Sequence, residues 1–296
     1  MKVPRPKTTI TIATIAVVIL LSLWMALGYA VVYIALSPHP GEVPAEITLG
    51  GLQADNVAFT AEDGVNLSAW WLGKNTDRAV ILLSGISADR RQGKSKAEIF
   101  LQEGFDVLLP DLRGTGRSDP ALVTIGWNER RDLKACFDHM RERGYKHIGA
   151  YGLSLGAATI AYSFKEIPDF AFVVLESCYD TMTSAMNNRL DIVHIPHFVA
   201  WPVLFWGEHK IGVSMKELQP VDFMPYCKAP ALIISGDAER VLTEAETRSL
   251  YEHCGSSLKR VHIFKNGTHS HLHKESPQEY RQTLKEFIQE VAAQWK

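Results

Sequence analysis

Cysteine is scarce: four residues in 296, at positions 136, 178, 227 and 254, and no pair has metal-ligand spacing. Thiolate-based zinc or iron–sulfur chemistry is therefore excluded. Runs of positive charge are missing as well. The chain sets 31 Lys and Arg against 33 Asp and Glu, for a net charge of -2, so nucleic-acid binding has no electrostatic footing. There is no internal repeat and no low-complexity tract, which excludes solenoids, propellers and long polar tails. What remains is ordinary globular material: 46% apolar and 22% charged residues, enough for one large core plus an appendage.

Charge is also absent from residues 8–36, and here the absence is informative. This apolar stretch follows Lys2, Arg5 and Lys7 and exceeds the roughly 20 helical residues that cross a bilayer. Tyr29 and Tyr33 stand toward its far end, where aromatic residues favour the interface. A cleaved signal peptide would have a shorter apolar core and a small-x-small site. Gly28-Tyr29-Ala30 fits such a site, but the apolar run continues past it. The sequence thus predicts an uncleaved transmembrane anchor over residues 1–37. The basic N-terminal flank faces the cytoplasm, and the body of the chain, which begins with Glu42 and Glu46, lies across the membrane. Pro38, Pro40, Gly41 and Pro44 read as a stiff linker, assigned to 38–55.

Residues 56–296 read as one catalytic-type domain. A hairpin is expected over 56–72, turning at Asp63-Gly64. Apolar runs at 79–83, 105–109, 147–151, 170–175, 231–235 and 259–264 read as buried strands. Between and after them, helical patterns cover 94–102, 128–143, 155–164, 243–253 and 277–293. This alternation predicts an α/β fold, doubly wound around a mostly parallel sheet, with sites at the carboxyl ends of the strands. The segment of about 178–226 has no clear strand and carries Phe198, Trp201, Phe205 and Trp206. It reads as a helical lid, either lining an apolar substrate pocket, touching the membrane, or packing as an inert cap. Cys227 and Cys254 are expected at the same end of the sheet, as a disulfide if the domain is exported or as buried thiols.

Gly152-Leu153-Ser154-Leu155-Gly156 matches G-x-S-x-G, between a predicted strand and a predicted helix. A sharp strand-to-helix turn needs small residues on both sides of the serine, and the helix N-terminus offers free N–H groups beside it. Ser154 is therefore the candidate nucleophile. A serine hydroxyl needs a base, and three histidines follow the last strand: His269, His271 and His273. His269, directly after the Gly267-Thr268 turn, is favoured, with His271 in reserve. The supporting carboxylate should follow the strand at 231–235, where Asp237 and Glu239 both qualify. Either choice gives the chain order Ser, acid, His.

These pieces resemble the α/β-hydrolase superfamily, in particular its serine-aminopeptidase-like and prolyl-oligopeptidase-like esterase and peptidase branch, over about residues 56–293. Matching segments are Phe59-Thr60-Ala61-Glu62-Asp63-Gly64, Ser84-Gly85, the run from Asp111 through Arg113 to Ser118, Glu129 with Asp132, the Ser154 elbow, and Asn266-Gly267-Thr268-His269. The resemblance implies an acid three residues after Gly236, which is Glu239, although relatives more often carry Asp. It implies an oxyanion hole from the backbone N–H groups of Leu155 and Ile86. Ser84 replaces the usual loop histidine. Arg90 or Arg91 matches a loop arginine, and Asp111 and Arg113 fix loop geometry. The activity implied is a serine hydrolase cleaving an ester, less readily an amide, through an acyl-enzyme on Ser154. The expected substrate is a small-molecule ester, with an apolar acyl chain suggested by the lid. No cofactor or metal is expected, and the lipid membrane is a partner through the N-terminal helix. An acyltransferase with the same triad and a non-catalytic binding protein on this fold are the alternatives.

Overall fold

The structure is a computed structural model that describes residues 6–74 and 76–295; Lys2 and Arg5, which carry part of the orientation argument, lie outside them. Its first element is helix α1 (Pro6–Leu36). Eight strands then build the central sheet: β1 (Asp55–Thr60), β2 (Asn66–Leu72), β3 (Arg78–Leu83), β4 (Asp106–Pro110), β5 (His147–Leu153), β6 (Val173–Glu176), β7 (Ala231–Gly236) and β8 (Lys259–Phe264). Their spatial order is β1-β2-β4-β3-β5-β6-β7-β8. β2 runs antiparallel to both neighbours and every later pairing is parallel. The Asp63-Gly64 turn closes the β1–β2 hairpin, with Gly64 at φ +86°, a conformation open to glycine at no steric cost.

The inner strands β3 to β7 are apolar on both faces because both faces are covered, whereas the edge strands β1 and β8 stay partly exposed. Ala79, Ile81 and Leu83 of β3 point into a core shared with Leu133, Phe137 and Met140 of α3 (Glu129–Glu142) and with α4 (Leu155–Ser163). Val80 and Leu82 point the other way. They meet Phe100 of the helix Lys94–Gln102 and Leu284, Phe287 and Ile288 of the helix Pro277–Ala292. Period-two alternation along one strand thus feeds two separate cores.

The lid is helical, as expected: α5 (Met182–Ile192) and α6 (Trp201–Ile211), with short 3-10 turns between and after them. The segment 38–55 is not an extended linker but is tied to the domain. His39–Pro40 pairs in parallel with Thr115–Gly116, Thr48–Leu49 pairs with Leu52–Gln53, and Val43 and Leu49 are buried. All four cysteines are buried free thiols. The Cys227 thiol donates to the Ala229 carbonyl oxygen at 3.5 Å, and the neighbouring Cys227 draws the Cys254 thiol below the ordinary thiol range.

Candidate functional site

The G-x-S-x-G elbow forms where β5 runs into α4. Ser154 sits at φ 53°, ψ -110°, a strained conformation for a residue with a Cβ. The flanking glycines make the turn possible by close approach. A Cβ on Gly152 would stand 2.3 Å from the Gly156 carbonyl carbon, and one on Gly156 would stand 2.7 Å from Leu83 Cβ and from its carbonyl oxygen. The Ser154 N–H donates to the Glu176 carbonyl oxygen at 2.8 Å, which fastens the elbow to the end of β6.

Parallel register brings the other groups to the same edge. Leu153 is paired with Glu176, Glu176 with Ile234, and Gly236 with Phe264, so four strands end together. Gly236 and Gly267 lie against each other, and a Cβ on Gly236 would meet the Gly267 carbonyl oxygen at 2.0 Å. The loops after β7 and β8 are thereby pressed together, which joins His269 Nδ1 to Glu239 Oε1 in a short hydrogen bond. The Glu239 side chain is fully buried, whereas His269 keeps 29% of its side chain exposed. An ionised carboxylate only accepts, so Nδ1 carries the proton and Nε2 is left as the acceptor.

Asp237 does something else: its Oδ1 accepts the Asn266 N–H, bracing the turn before His269. His271 Nδ1–H donates to the His269 carbonyl at 2.9 Å, and His273 Nδ1 lies 3.0 Å from Lys96 Nζ. Of the three histidines, only His269 is joined to either candidate acid. Among the described residues no hydrogen bond joins the Ser154 hydroxyl to His269. Such bonds commonly tighten only when substrate binds.

Both residues expected to supply oxyanion donors line the same cavity as Ser154. Leu155 opens α4, and Ile86 lies in the loop after β3; neither N–H has a protein acceptor among the described residues. The Ser84 hydroxyl, standing where relatives carry histidine, donates to the Asp89 carbonyl at 2.9 Å, and Gly85 N–H donates to Gln92 Oε1 at 2.8 Å. These bonds hold the loop from within. Arg90 is the buried arginine: its guanidinium and its N–H both bind Asp111, while Arg91 stays on the surface with Asp89. Arg113 pairs with Asp132 and Asp63 rather than with Asp111. Its bonds draw the Asp63 carboxyl down to a pKa of about 2.

Two parts of the site were not read from the sequence. Ser177, buried at φ +50°, donates its hydroxyl to Glu239 Oε2 at 2.8 Å. A polar Glu176-Ser177 pair closing an apolar strand was the available signal. The second is the wall that α1 adds to a cavity of about 290 Å³ over Ser154, whose lid side was expected. Ile86, Ser154 and Leu155 form its floor, and Met182, Met186, Leu204 and Ile211 of the lid line it. Val32 and Leu36 of α1 complete it. Among the described residues, Arg189 of α5 is the one charged residue on its wall.

Comparison with known proteins agrees with this fold. Residues 74–200 match the family model for serine aminopeptidase, S33. The uncharacterized protein YqkD of Bacillus subtilis is 24% identical over 72% of each chain. A Pyrococcus furiosus esterase superposes with a TM-score of 0.73 and 23% identity, covering 86% of this chain and 98% of that one. A membrane phospholipase A, a bacterial virulence factor, gives a TM-score of 0.62 at 18% identity, over 96% of this chain and 97% of its own. The chain is an α/β-hydrolase-fold protein, matched over residues 74–200 by the serine aminopeptidase S33 family and flanked in fold space by esterases.

Proposed function

We propose that the protein is a membrane-anchored serine hydrolase that cleaves ester bonds through an acyl-enzyme on Ser154. The observation that carries this reading is the buried Glu239 carboxylate bonded to His269 Nδ1, at the same sheet edge as a serine held in a strained elbow. His269 Nε2 takes the Ser154 proton as Oγ attacks the ester carbonyl. The oxyanion is received by the N–H groups of Leu155 and Ile86. The tetrahedral intermediate collapses as imidazolium gives its proton to the departing alcohol, leaving the acyl group on Ser154. Water, deprotonated by His269, then releases the acid and restores the serine. Glu239 stabilises the imidazolium in both halves, and Ser177 holds the second carboxylate oxygen.

The apolar lining of the cavity favours an ester with an apolar acyl group. Helix α1 supports the anchor: Ile10–Leu36 is long and apolar enough to cross a membrane. The basic residues before it and Glu42 and Glu46 after it favour an N-terminus in the cytoplasm. The test is labelling of the folded full-length protein by a fluorophosphonate together with hydrolysis of p-nitrophenyl butyrate. Both are expected in wild type and both are lost in Ser154→Ala. A folded wild type that neither labels nor turns over refutes the reading.

A further inference from the structure

An anchor has no need to touch the catalytic cavity, yet α1 does. Trp24, Gly28, Val32 and Leu36 recur every fourth residue and so form one stripe along the helix. Val32 and Leu36 are buried, while Val31 and Ile34 beside them are exposed. The stripe is fitted closely to the lid helix α6. A Cβ on Gly28 would stand 2.4 Å from Pro202 Cβ, so only glycine lets the two helices meet there. Trp24 Nε1 donates to the Val199 carbonyl at 3.1 Å, and Trp206 Nε1 donates to that of Met25 at 3.0 Å. The Leu36 carbonyl accepts the Val123 N–H at 3.0 Å. The end of the helix is thus locked both to the lid and to the body of the domain.

Depth follows from helix geometry. A crossing that begins at Ile10 uses about 20 residues at ~1.5 Å each and ends near Tyr29. Val32 and Leu36 then lie within roughly 10 Å of the hydrocarbon edge. Trp201, whose ring lies 6.1 Å from that of Trp24, lies at or below that edge. Phe198 and Trp201 are 70% and 53% exposed. The lid therefore presents apolar surface beside Trp24 of the membrane helix.

We propose that α1 is a wall of the acyl-binding cavity as well as an anchor, and that with α6 it guides the chain of a bilayer-resident, long-acyl ester to Ser154. This rests on the serine-hydrolase reading and adds the substrate class. Filling the cavity from the α1 side should then select against long chains only. In full-length protein in nanodiscs, Val32→Trp is expected to lower kcat/KM for p-nitrophenyl acetate less than for any longer ester. The same variant should lower kcat/KM for the octanoate and longer esters at least tenfold. Trp201→Glu should keep the rate on dissolved octanoate and slow hydrolysis of a palmitoyl ester carried in the nanodisc at least fivefold. Binding of a fluorescent long-chain fatty acid to Ser154→Ala protein, with and without Val32→Trp, reads the cavity without any chemistry. A tenfold weaker affinity supports the proposal even if wild type proves inactive, which would sink only the serine-hydrolase reading. An unchanged chain-length profile and unchanged probe affinity in Val32→Trp overturn it. So do equal effects of Trp201→Glu on the dissolved and the embedded ester.

Discussion

Replacing Glu239 by Gln separates the two acids that the sequence left open. The carboxylate is fully buried and accepts from His269 Nδ1–H and from the Ser177 hydroxyl. Gln keeps the shape and can still accept from one of them. Its NH2 must then face the other, and facing His269 it stabilises the tautomer with the proton on Nε2. That tautomer cannot accept the Ser154 proton. A carboxylate-to-amide change in a comparable triad costs about 10⁴ in kcat, equal to roughly 5 kcal/mol of transition-state stabilisation at ~1.4 kcal/mol per tenfold. The expected result for Glu239→Gln is a kcat loss of about 10³ to 10⁴ on p-nitrophenyl butyrate, with KM little changed. Asp237→Asn touches only the Asn266 turn and should stay within about fivefold, since the loss of one exposed hydrogen bond is on the order of 1 kcal/mol. Steady-state kinetics of both variants, with circular dichroism to confirm folding, decide the matter. A larger loss in Asp237→Asn than in Glu239→Gln would refute the assignment of the acid.

Other consequences are open to equally direct measurement. Gly156→Ala should cost about 1–3 kcal/mol by overpacking, because its Cβ would press on Leu83 Cβ and its carbonyl oxygen; a denaturation midpoint equal to wild type would contradict the contact. Arg90→Met removes the partner of a fully buried Asp111 carboxylate and should cost about 3–5 kcal/mol in chemical denaturation. His273 offers a pH test. Burial first, then Lys96, hold its pKa down to about 4 against an ordinary 6.5. The unfolded chain therefore binds a proton that the folded one refuses, and stability falls as pH drops from 6.5 toward 4. At ~1.4 kcal/mol per unit the full effect is roughly 3 kcal/mol, and partial exposure reduces it to on the order of 1–2 kcal/mol. His273→Gln should flatten that slope, and identical pH profiles would count against the buried neutral ring. Mass spectrometry after alkylation of the denatured, unreduced protein should find four modified cysteines, since all four are free thiols. A Cys227–Cys254 disulfide would appear as two.

Local chemistry made much of the fold readable. The strands β3, β5 and β7 are short apolar runs between turn residues, and α3 carries Leu133, Phe137 and Met140 on one face. The elbow was readable because the motif is confined to five consecutive residues and Gly152 is required by a contact one turn along the chain, although the contact that requires Gly156 reaches Leu83 of another strand. The acid was not, because Asp237 and Glu239 differ only in where a loop aims them. That aim is set by the Gly236–Gly267 contact between strands far apart in sequence. Ser177 was missed for the same reason: its partner lies 62 residues away. Uniform hydropathy hid the second role of α1. Val32 and Leu36 look like any other membrane-facing residue until α6 is placed against them. The expected linker failed as an inference from proline content, since Pro40 sits in a paired strand beside Gly116.

The fastening of residues 38–55 has a mechanical consequence. With His39–Pro40 paired to Thr115–Gly116 and α1 locked to α6, helix and domain turn as one rigid body. A spanning helix longer than the local hydrocarbon accommodates the mismatch by tilting. With α1 spanning the bilayer as proposed, any tilt would swing the whole domain through the same angle. Bilayer thickness would then become a lever on the height of the cavity mouth, and two membranes of the same composition class but different thickness would meet that mouth at different depths.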